Sequence, residues 1–281
     1  MINLELPKRI EDTRALLRQF AEGGLRPLSR KYDLLEQKEM PEELYELSKL
    51  LGGGARRAQS GDAGTDAPAE GVNRNANNMS MVVSSAEICW GDVGLFLALP
   101  NVGLGNAAVS AVATEEQKEE WGELFASMAI TEPGAGSDSA GIKTTAVLDG
   151  DEWVINGEKI FVTDGYRSKQ VVVWASLDLK LGKAAIKSFL VPKGTPGMTV
   201  TRVEHKLGIR SSDTAQIVFD NCRVPKANLL GNPEIAKTAE ARKKAFGGVM
   251  QTFDNTRPMV AAQALGVARA ALDLTYELLA E

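Results

Sequence analysis

One histidine and two cysteines are the whole supply of nitrogen and sulfur metal ligands in this 281-residue chain, and they stand far apart, at Cys89, His205 and Cys222. A structural zinc site needs such groups clustered at short spacing, so no metal centre is expected. The same scarcity rules out a disulfide framework. With no secretory segment read ahead of Cys89, the expected setting is reducing and cytoplasmic. Long apolar runs are missing too: Gly, Asn or charge interrupts each one short of the roughly 20 residues a membrane helix requires, and no membrane span is expected. Nor is there an excess of basic charge. Lys and Arg number 32 against 37 Asp and Glu, a formal charge of -5, which gives no general attraction for nucleic acid or an anionic bilayer. What the chain does have is 44% hydrophobic residues, enough to bury a core spread over two or three domains.

Periodicity divides the chain into three parts. From Glu5 to Leu50 the pattern is helical, with Ile10, Thr13, Leu17 and Phe20 at three- and four-residue intervals and Pro41-Glu42-Glu43 opening another helix. Residues 52 to 80, crowded with Gly, Ala, Asp and Asn, read as a long loop. Helix returns from Met81 to Ala113, and Thr114 with Gln117 three residues on forms a capping-box signal. These elements make a helical domain over residues 1–125. Beyond it the period changes to two. Short β-rich runs at Val147, Trp153-Val154-Ile155, Phe161-Val162, Val171 to Trp174, Ile186 to Val191 and Ala215 to Phe219 are separated by turn residues. They predict an antiparallel sheet folded into a barrel or sandwich over 126–233. Helical periodicity resumes at Ala236, and Pro258 to Leu279 reads as one helix with Pro258 in its first turn. Val260, Leu265, Val267, Leu272, Leu274 and Leu278 cover more than one face of it. A lone helix pair in 234–281 cannot bury that surface, so further bundle helices or a neighbouring chain are expected to cover it.

The densest chemical signal is Ala129-Ile130-Thr131-Glu132-Pro133-Gly134-Ala135-Gly136-Ser137-Asp138, followed after a short alternating segment by Asn156-Gly157-Glu158-Lys159-Ile160-Phe161-Val162-Thr163-Asp164-Gly165. Glycines that admit close backbone approach, together with turn amides and hydroxyls, suit a polar, phosphate-bearing cofactor lying on a sheet. Neither a Walker A loop nor a strand-to-helix GxGxxG fingerprint is formed there. Taken alone, Gly134 and Gly136 favour a plain tight turn; the downstream blocks turn the reading toward a ligand. His205 and Cys222 read as structural or solvated groups, Arg242-Lys243-Lys244 as a solvated helix face, and Lys206 and Arg210 as holding a bend in the sheet.

With Lys206-Leu207-Gly208-Ile209-Arg210-Ser211-Ser212-Asp213-Thr214, Phe219-Asp220-Asn221-Cys222-Arg223-Val224-Pro225 and Phe253-Asp254-Asn255-Thr256-Arg257-Pro258 in the same order, the five blocks resemble the acyl-CoA dehydrogenases, flavoproteins of the medium-chain type. The resemblance implies an α+β fold: an N-terminal helical domain, a central β-barrel and the start of a C-terminal helical bundle. It implies FAD and an acyl-CoA thioester substrate, α,β-dehydrogenation in lipid metabolism and fatty acid β-oxidation, an electron-transfer flavoprotein as partner, and a homo- or hetero-oligomer. By the same resemblance the stretch Met128, Ala129, Ile130, Thr131, Glu132, Pro133, Gly134, Ala135, Gly136 and Ser137 contacts FAD. Thr131 meets the pyrimidine edge of the flavin, and Phe161, Val162 and Thr163 lie beside the ring. Phe161 stands where many members have Trp. Ser137, Asp254 and Arg257 are implied on the coenzyme A side.

No catalytic residue is assigned. In one branch of the family the base is a Glu of the final helical segment, expected here beyond Glu281. In another it occupies the position of Thr256, and a threonine cannot take up that proton at neutral pH as a carboxylate does. An acyl-CoA oxidase or flavin monooxygenase on the same scaffold, and a non-catalytic flavin-binding subunit of a mixed assembly, are the alternative functions.

Overall fold

A computed structural model of the chain describes residues 5–36, 42–47, 77–100, 104–122, 124–235 and 247–280, with side chains of 77–78 and 247–255 outside the description. The first helical elements are α1 (Lys8–Phe20), a π-helical turn (Ala21–Leu25) and α2 (Arg26–Leu35), with a helical stretch at 42–47. Next come α3 (Asn77–Gly91), α4 (Val93–Leu97), α5 (Leu104–Val112) and α6 (Glu115–Trp121). Leu25, Tyr32, Leu44, Ile88, Leu95 and Leu99 form their shared core. The capping box forms as read: the Thr114 hydroxyl accepts the Gln117 N–H at 3.3 Å while the Gln117 side chain accepts the Thr114 N–H at 3.1 Å. The expected loop over 52 to 80 ends earlier than anticipated, because α3 begins at Asn77; its residues 52–76 lie outside the described residues, as do Arg242, Lys243 and Lys244.

Seven strands follow: β1 (Ala126–Ala129), β2 (Thr145–Asp149), β3 (Glu152–Thr163), β4 (Gln170–Ser176), β5 (Ile186–Pro192), β6 (Met198–Val203) and β7 (Thr214–Pro225). They form one curled sheet, an open half-barrel, in the order β1-β4-β2-β3-β7-β6 with β5 on the other edge of β4. The sheet is not wholly antiparallel as expected. Both β1 and the start of β2 run parallel to β4, because β1 arrives from the helices and lies beside β4 instead of forming a hairpin with its successor. Every position of β4 is buried. Val171 and Val173 join the barrel core with Ile155, Phe189, Ile217 and Phe219, while Val172 and Trp174 face the other way toward Met128, Leu190 and α5 residues Ala108 and Val109. That is why Val171 to Trp174 reads as an unbroken apolar run and not as an alternation.

The last helix, α7 (Gly247–Ala280), contradicts the expectation for Pro258, which lies inside it and not in the first turn. Proline removes one backbone hydrogen bond there; tertiary packing carries the helix through. Thr256, Ala262, Gln263, Gly266 and Ala270 make one buried stripe packed on α3 and α5. At the crossing a Cβ on Gly266 would fall 2.3 Å from the Ala86 carbonyl oxygen. The Glu87 carboxylate, nearly buried, receives Arg269 at 2.7 Å and Arg18 at 3.6 Å, and Asp273 accepts from Trp90 Nε1 at 2.7 Å. Val260, Leu265, Leu272, Tyr276, Leu278 and Leu279 remain exposed on the far side. Among the described residues no helix is long and apolar enough to cross a membrane.

Candidate functional site

After Ala129 the chain leaves β4 and continues through Ile130 and Thr131 to a two-residue reversal at Pro133-Gly134. The flanking Glu132 and Ala135 exchange both main-chain hydrogen bonds at 3.1 Å. Helix α5 fixes where this segment starts: the Asn106 side chain accepts the Ala126 N–H at 3.0 Å and donates to the Leu124 carbonyl at 2.8 Å. A Cβ on Gly105 would lie 2.4 Å from the Ala126 carbonyl oxygen, so the helix sits directly on the strand. Neither Gly134 nor Gly136 is left-handed. A Cβ at either would meet no atom within 4 Å, so their bareness leaves main chain open to a ligand.

The second half of the site comes from a β-bulge. Lys159 pairs with Ile217 and Val162 with Ala215, so Ile160 and Phe161 together oppose Gln216 alone. The extra residue releases the Ile160 N–H, which donates to the Thr131 carbonyl at 2.9 Å. Phe161 takes a left-handed φ of 56°, and its ring is turned outward, 62% exposed. Bulges re-aim side chains in this way, and a non-glycine residue held at such a φ costs about 1–2 kcal/mol.

The two halves enclose a cavity of about 230 Å³ lined by Leu104, Met128, Ile130, Thr131, Gly136, Ser139, Phe161 and Thr163. That is below the ~300–1,000 Å³ of a pocket for a whole drug-sized ligand, so it suits one end of a larger molecule. Of the residues expected from the sequence, Met128, Ile130, Thr131, Gly136, Phe161 and Thr163 are brought together here. Ala129, Ala135 and Val162 have their side chains in the cores, which leaves their main chain for contact. Pro133, Gly134 and Ser137 are exposed on the turn and just past it, and Arg257 is exposed on α7, while the side chain of Asp254 is outside the described residues. Leu104 and Ser139 line the cavity without having been expected. Leu104 carries no local signal, and Ser139 differs from Ser137 only by position.

Glu132 does not face the cavity. It is buried, accepting Lys159 Nζ at 2.7 Å, the Thr144 N–H at 2.9 Å and the Lys143 N–H at 2.7 Å. Burial pushes the Lys159 ammonium down to about 8 against the pull of Glu132. Burial would raise the Glu132 carboxyl, but Lys159, Thr144 and Lys143 outweigh it and hold it below its ordinary value, so the pair is ionised at neutral pH. Just past Thr163, Arg167 donates to Asp213 at 2.6 Å and to Asp164 at 2.9 Å. Burial pushes Asp164 up to about 7, opposed by Arg167 and reinforced by Asp213. This cluster pins the turn that follows Thr163.

His205, Lys206 and Arg210 converge on one carboxylate. Glu36, at the end of α2, lies 3.0 Å from His205 Nδ1, accepts the Lys206 N–H at 3.1 Å and pairs with Arg210 at 3.4 Å. They tie the β6–β7 bend to the helices. Cys222 is a buried free thiol pushed up to about 11 by burial. Among the described residues no cluster of His, Cys, Asp and Glu could hold a metal ion.

The cavity lining is chemically simple: the hydroxyl-bearing residues Thr131, Ser139 and Thr163, one aromatic face, apolar walls and bare glycine main chain, with no ionisable group. Such a surface matches a flat, neutral heteroaromatic ring with hydrogen-bonding edges, and the open turn beside it leaves room for a polar tail. A flavin fits that donor set, since each hydroxyl can donate or accept.

Comparison with known proteins bears on the same segments. The family model described as acyl-CoA dehydrogenase, N-terminal domain, matches residues 8–129, and that described as acyl-CoA dehydrogenase, middle domain, matches 127–222. The chain is 34% identical over 279 residues to the short-chain specific acyl-CoA dehydrogenase, mitochondrial, of Rattus norvegicus, covering 96% of this chain and 63% of that protein. It thus spans a little under two thirds of the length of that relative. The butyryl-CoA dehydrogenase structure from Megasphaera elsdenii superposes with a TM-score of 0.81 at 32% identity, over 98% of this chain and 70% of that one. A glutaryl-CoA dehydrogenase from Mycobacterium smegmatis, solved in complex with FADH2, gives a TM-score of 0.74 at 29% identity, over 97% of this chain and 65% of that one. The chain belongs to the acyl-CoA dehydrogenase family.

Proposed function

We propose that this chain is the N-terminal and middle part of a FAD-dependent acyl-CoA dehydrogenase that introduces an α,β double bond into an acyl-CoA thioester. The observation that carries the reading is the cavity between Thr131, Thr163 and the outward-turned Phe161. It is built by a bulge that holds Phe161 at a left-handed φ with most of its ring exposed. The M. smegmatis relative bound to FADH2 supports the choice of cofactor. When bound, FAD supplies the two-electron acceptor for the hydride leaving the β-carbon. The Thr131 and Thr163 hydroxyls orient the ring edge, Phe161 walls it from solvent, and the main chain of Gly134 to Ser137 meets the polar tail. The family resemblance assigns Ser137, Asp254 and Arg257 to the coenzyme A portion.

Proton removal from the α-carbon needs a carboxylate, and the cavity lining offers none among the described residues. We place that base in a final helical segment, as in the medium-chain-type branch. The similarity to butyryl-CoA and short-chain enzymes favours a short acyl group. The division into 1–125, 126–233 and 234–281, a cytoplasmic location, an oligomeric assembly and electron transfer to an electron-transfer flavoprotein complete the proposal. Thr131→Ala and Thr163→Ala test it. Each variant should retain FAD more weakly and alter its visible absorption, whereas unchanged affinity and spectrum in both would remove the threonines from the site.

A further inference from the structure

Lys159 is wholly buried. Its ammonium grips two points on the facing segment: the Glu132 carboxylate at 2.7 Å and the Ile130 carbonyl at 3.2 Å. Thr131 lies between those two points, and its own carbonyl takes the Ile160 N–H from the residue next to Lys159. Glu132 is held in turn by the Thr144 hydroxyl at 2.5 Å and by the Lys143 and Thr144 N–H groups. Phe161 follows two residues after Lys159, on the bulge.

A buried ion pair is weak support for a fold, because apolar residues of the same shape serve stability as well or better. What the pair supplies is direction. Past Ala129 the segment no longer pairs with β4, and the Ile160–Thr131 bond is its main-chain link to β3 among the described hydrogen bonds. One such bond leaves the segment free to pivot; two charge-assisted contacts on either side of Thr131 remove that freedom.

We propose that Lys159 and Glu132 are positioning residues that lock the Thr131 hydroxyl at a set height opposite Phe161 and Thr163, and thereby determine how the flavin ring is seated. The inference rests on the flavin reading above. It adds a pair that touches neither flavin nor substrate and acts on them only through Thr131 and the bulge.

The experiment compares Lys159→Met, which keeps volume and removes charge, with Thr144→Val, which takes a single hydroxyl from Glu132 at nearly constant shape. A remote helical-core variant, Leu25→Val, serves as the stability control. FAD affinity, the position of the bound flavin's visible band and urea unfolding of the flavin-free protein are measured for each. Lys159→Met should raise the Kd for FAD by about tenfold, equivalent to one aligned hydrogen bond lost, and displace the visible band. Thr144→Val should do the same to a smaller degree, and Leu25→Val should change neither at equal loss of stability. Because burial holds the Lys159 ammonium down to about 8, wild-type affinity should fall as pH rises through that value, and Lys159→Met should lack the step. If Lys159→Met does not fold, Thr144→Val decides. Affinity and spectrum that move no further than in the control would overturn the inference. A wild-type chain that takes up no FAD would instead overturn the functional reading beneath it.

Discussion

Replacing Phe161 with glycine should leave the flavin-free protein about as stable as before while weakening its hold on FAD. The substitution removes a Cβ from φ 56°, relieving about 1–2 kcal/mol of left-handed strain. Against that stands the greater unfolded-state freedom of glycine, about 0.5–1 kcal/mol. The ring is already 62% exposed. Since full burial of such a side chain stabilises by about 1.5–3 kcal/mol, its remaining contacts contribute roughly 0.5–1 kcal/mol. The net falls within about 1 kcal/mol of zero, whereas truncating fully buried Phe189 to alanine should cost about 3–5 kcal/mol. Urea unfolding of flavin-stripped protein reads the first quantity, and FAD titration of the same samples reads the second. A loss above about 2 kcal/mol for Phe161→Gly would mean that the ring is a core residue after all. Phe161 would then not be an exposed aromatic held under strain for a ligand.

Two further outcomes follow from the same geometry. Gly266→Ala sets a methyl against the Ala86 carbonyl oxygen, backbone on both sides, so α7 and α3 must part. Thermal unfolding should show a loss of about 1–3 kcal/mol from overpacking despite a helix-propensity gain of about 1 kcal/mol, and an unchanged or raised melting temperature would contradict the close crossing. Asp164, pushed up by burial to about 7 from an ordinary 3.8, contributes stability that is fully present below the unfolded value and is lost as pH rises through about 7. Stability measured across that window should therefore decline more in wild type than in Asp164→Asn, and parallel profiles would mean that Asp164 does not titrate there.

What the sequence conveys about this molecule is mostly local. The Thr114–Gln117 cap, the turn residues between strands and the helical spacing of Ile10, Leu17 and Phe20 are each decided within a few residues, and each appears where the pattern puts it. The bulge at Ile160 and Phe161 is decided by register against β7, more than 50 residues away in the chain, and no spacing within β3 announces it. Lys159 and Glu132 each sit inside a conspicuous motif, yet their contact spans 27 residues and reads along the chain as two ordinary charges. Pro258 misleads for the opposite reason: its local preference for a helix start is real, but packing of the Ala262 to Ala270 stripe on α3 overrides it. Leu104 reaches the cavity only because Gly105 lets α5 settle on β1, a tertiary contact with no linear trace.

In the proposed function these residues seat a flavin that takes up a hydride from an acyl-CoA thioester. Anaerobic titration of the natively expressed, mass-verified protein with a panel of acyl-CoA thioesters, followed at the flavin's visible band, tests it most directly. Bound FAD and bleaching by at least one thioester of short acyl chain are expected. Retained FAD that no thioester bleaches, in a chain whose mass includes the final helical segment, would contradict it.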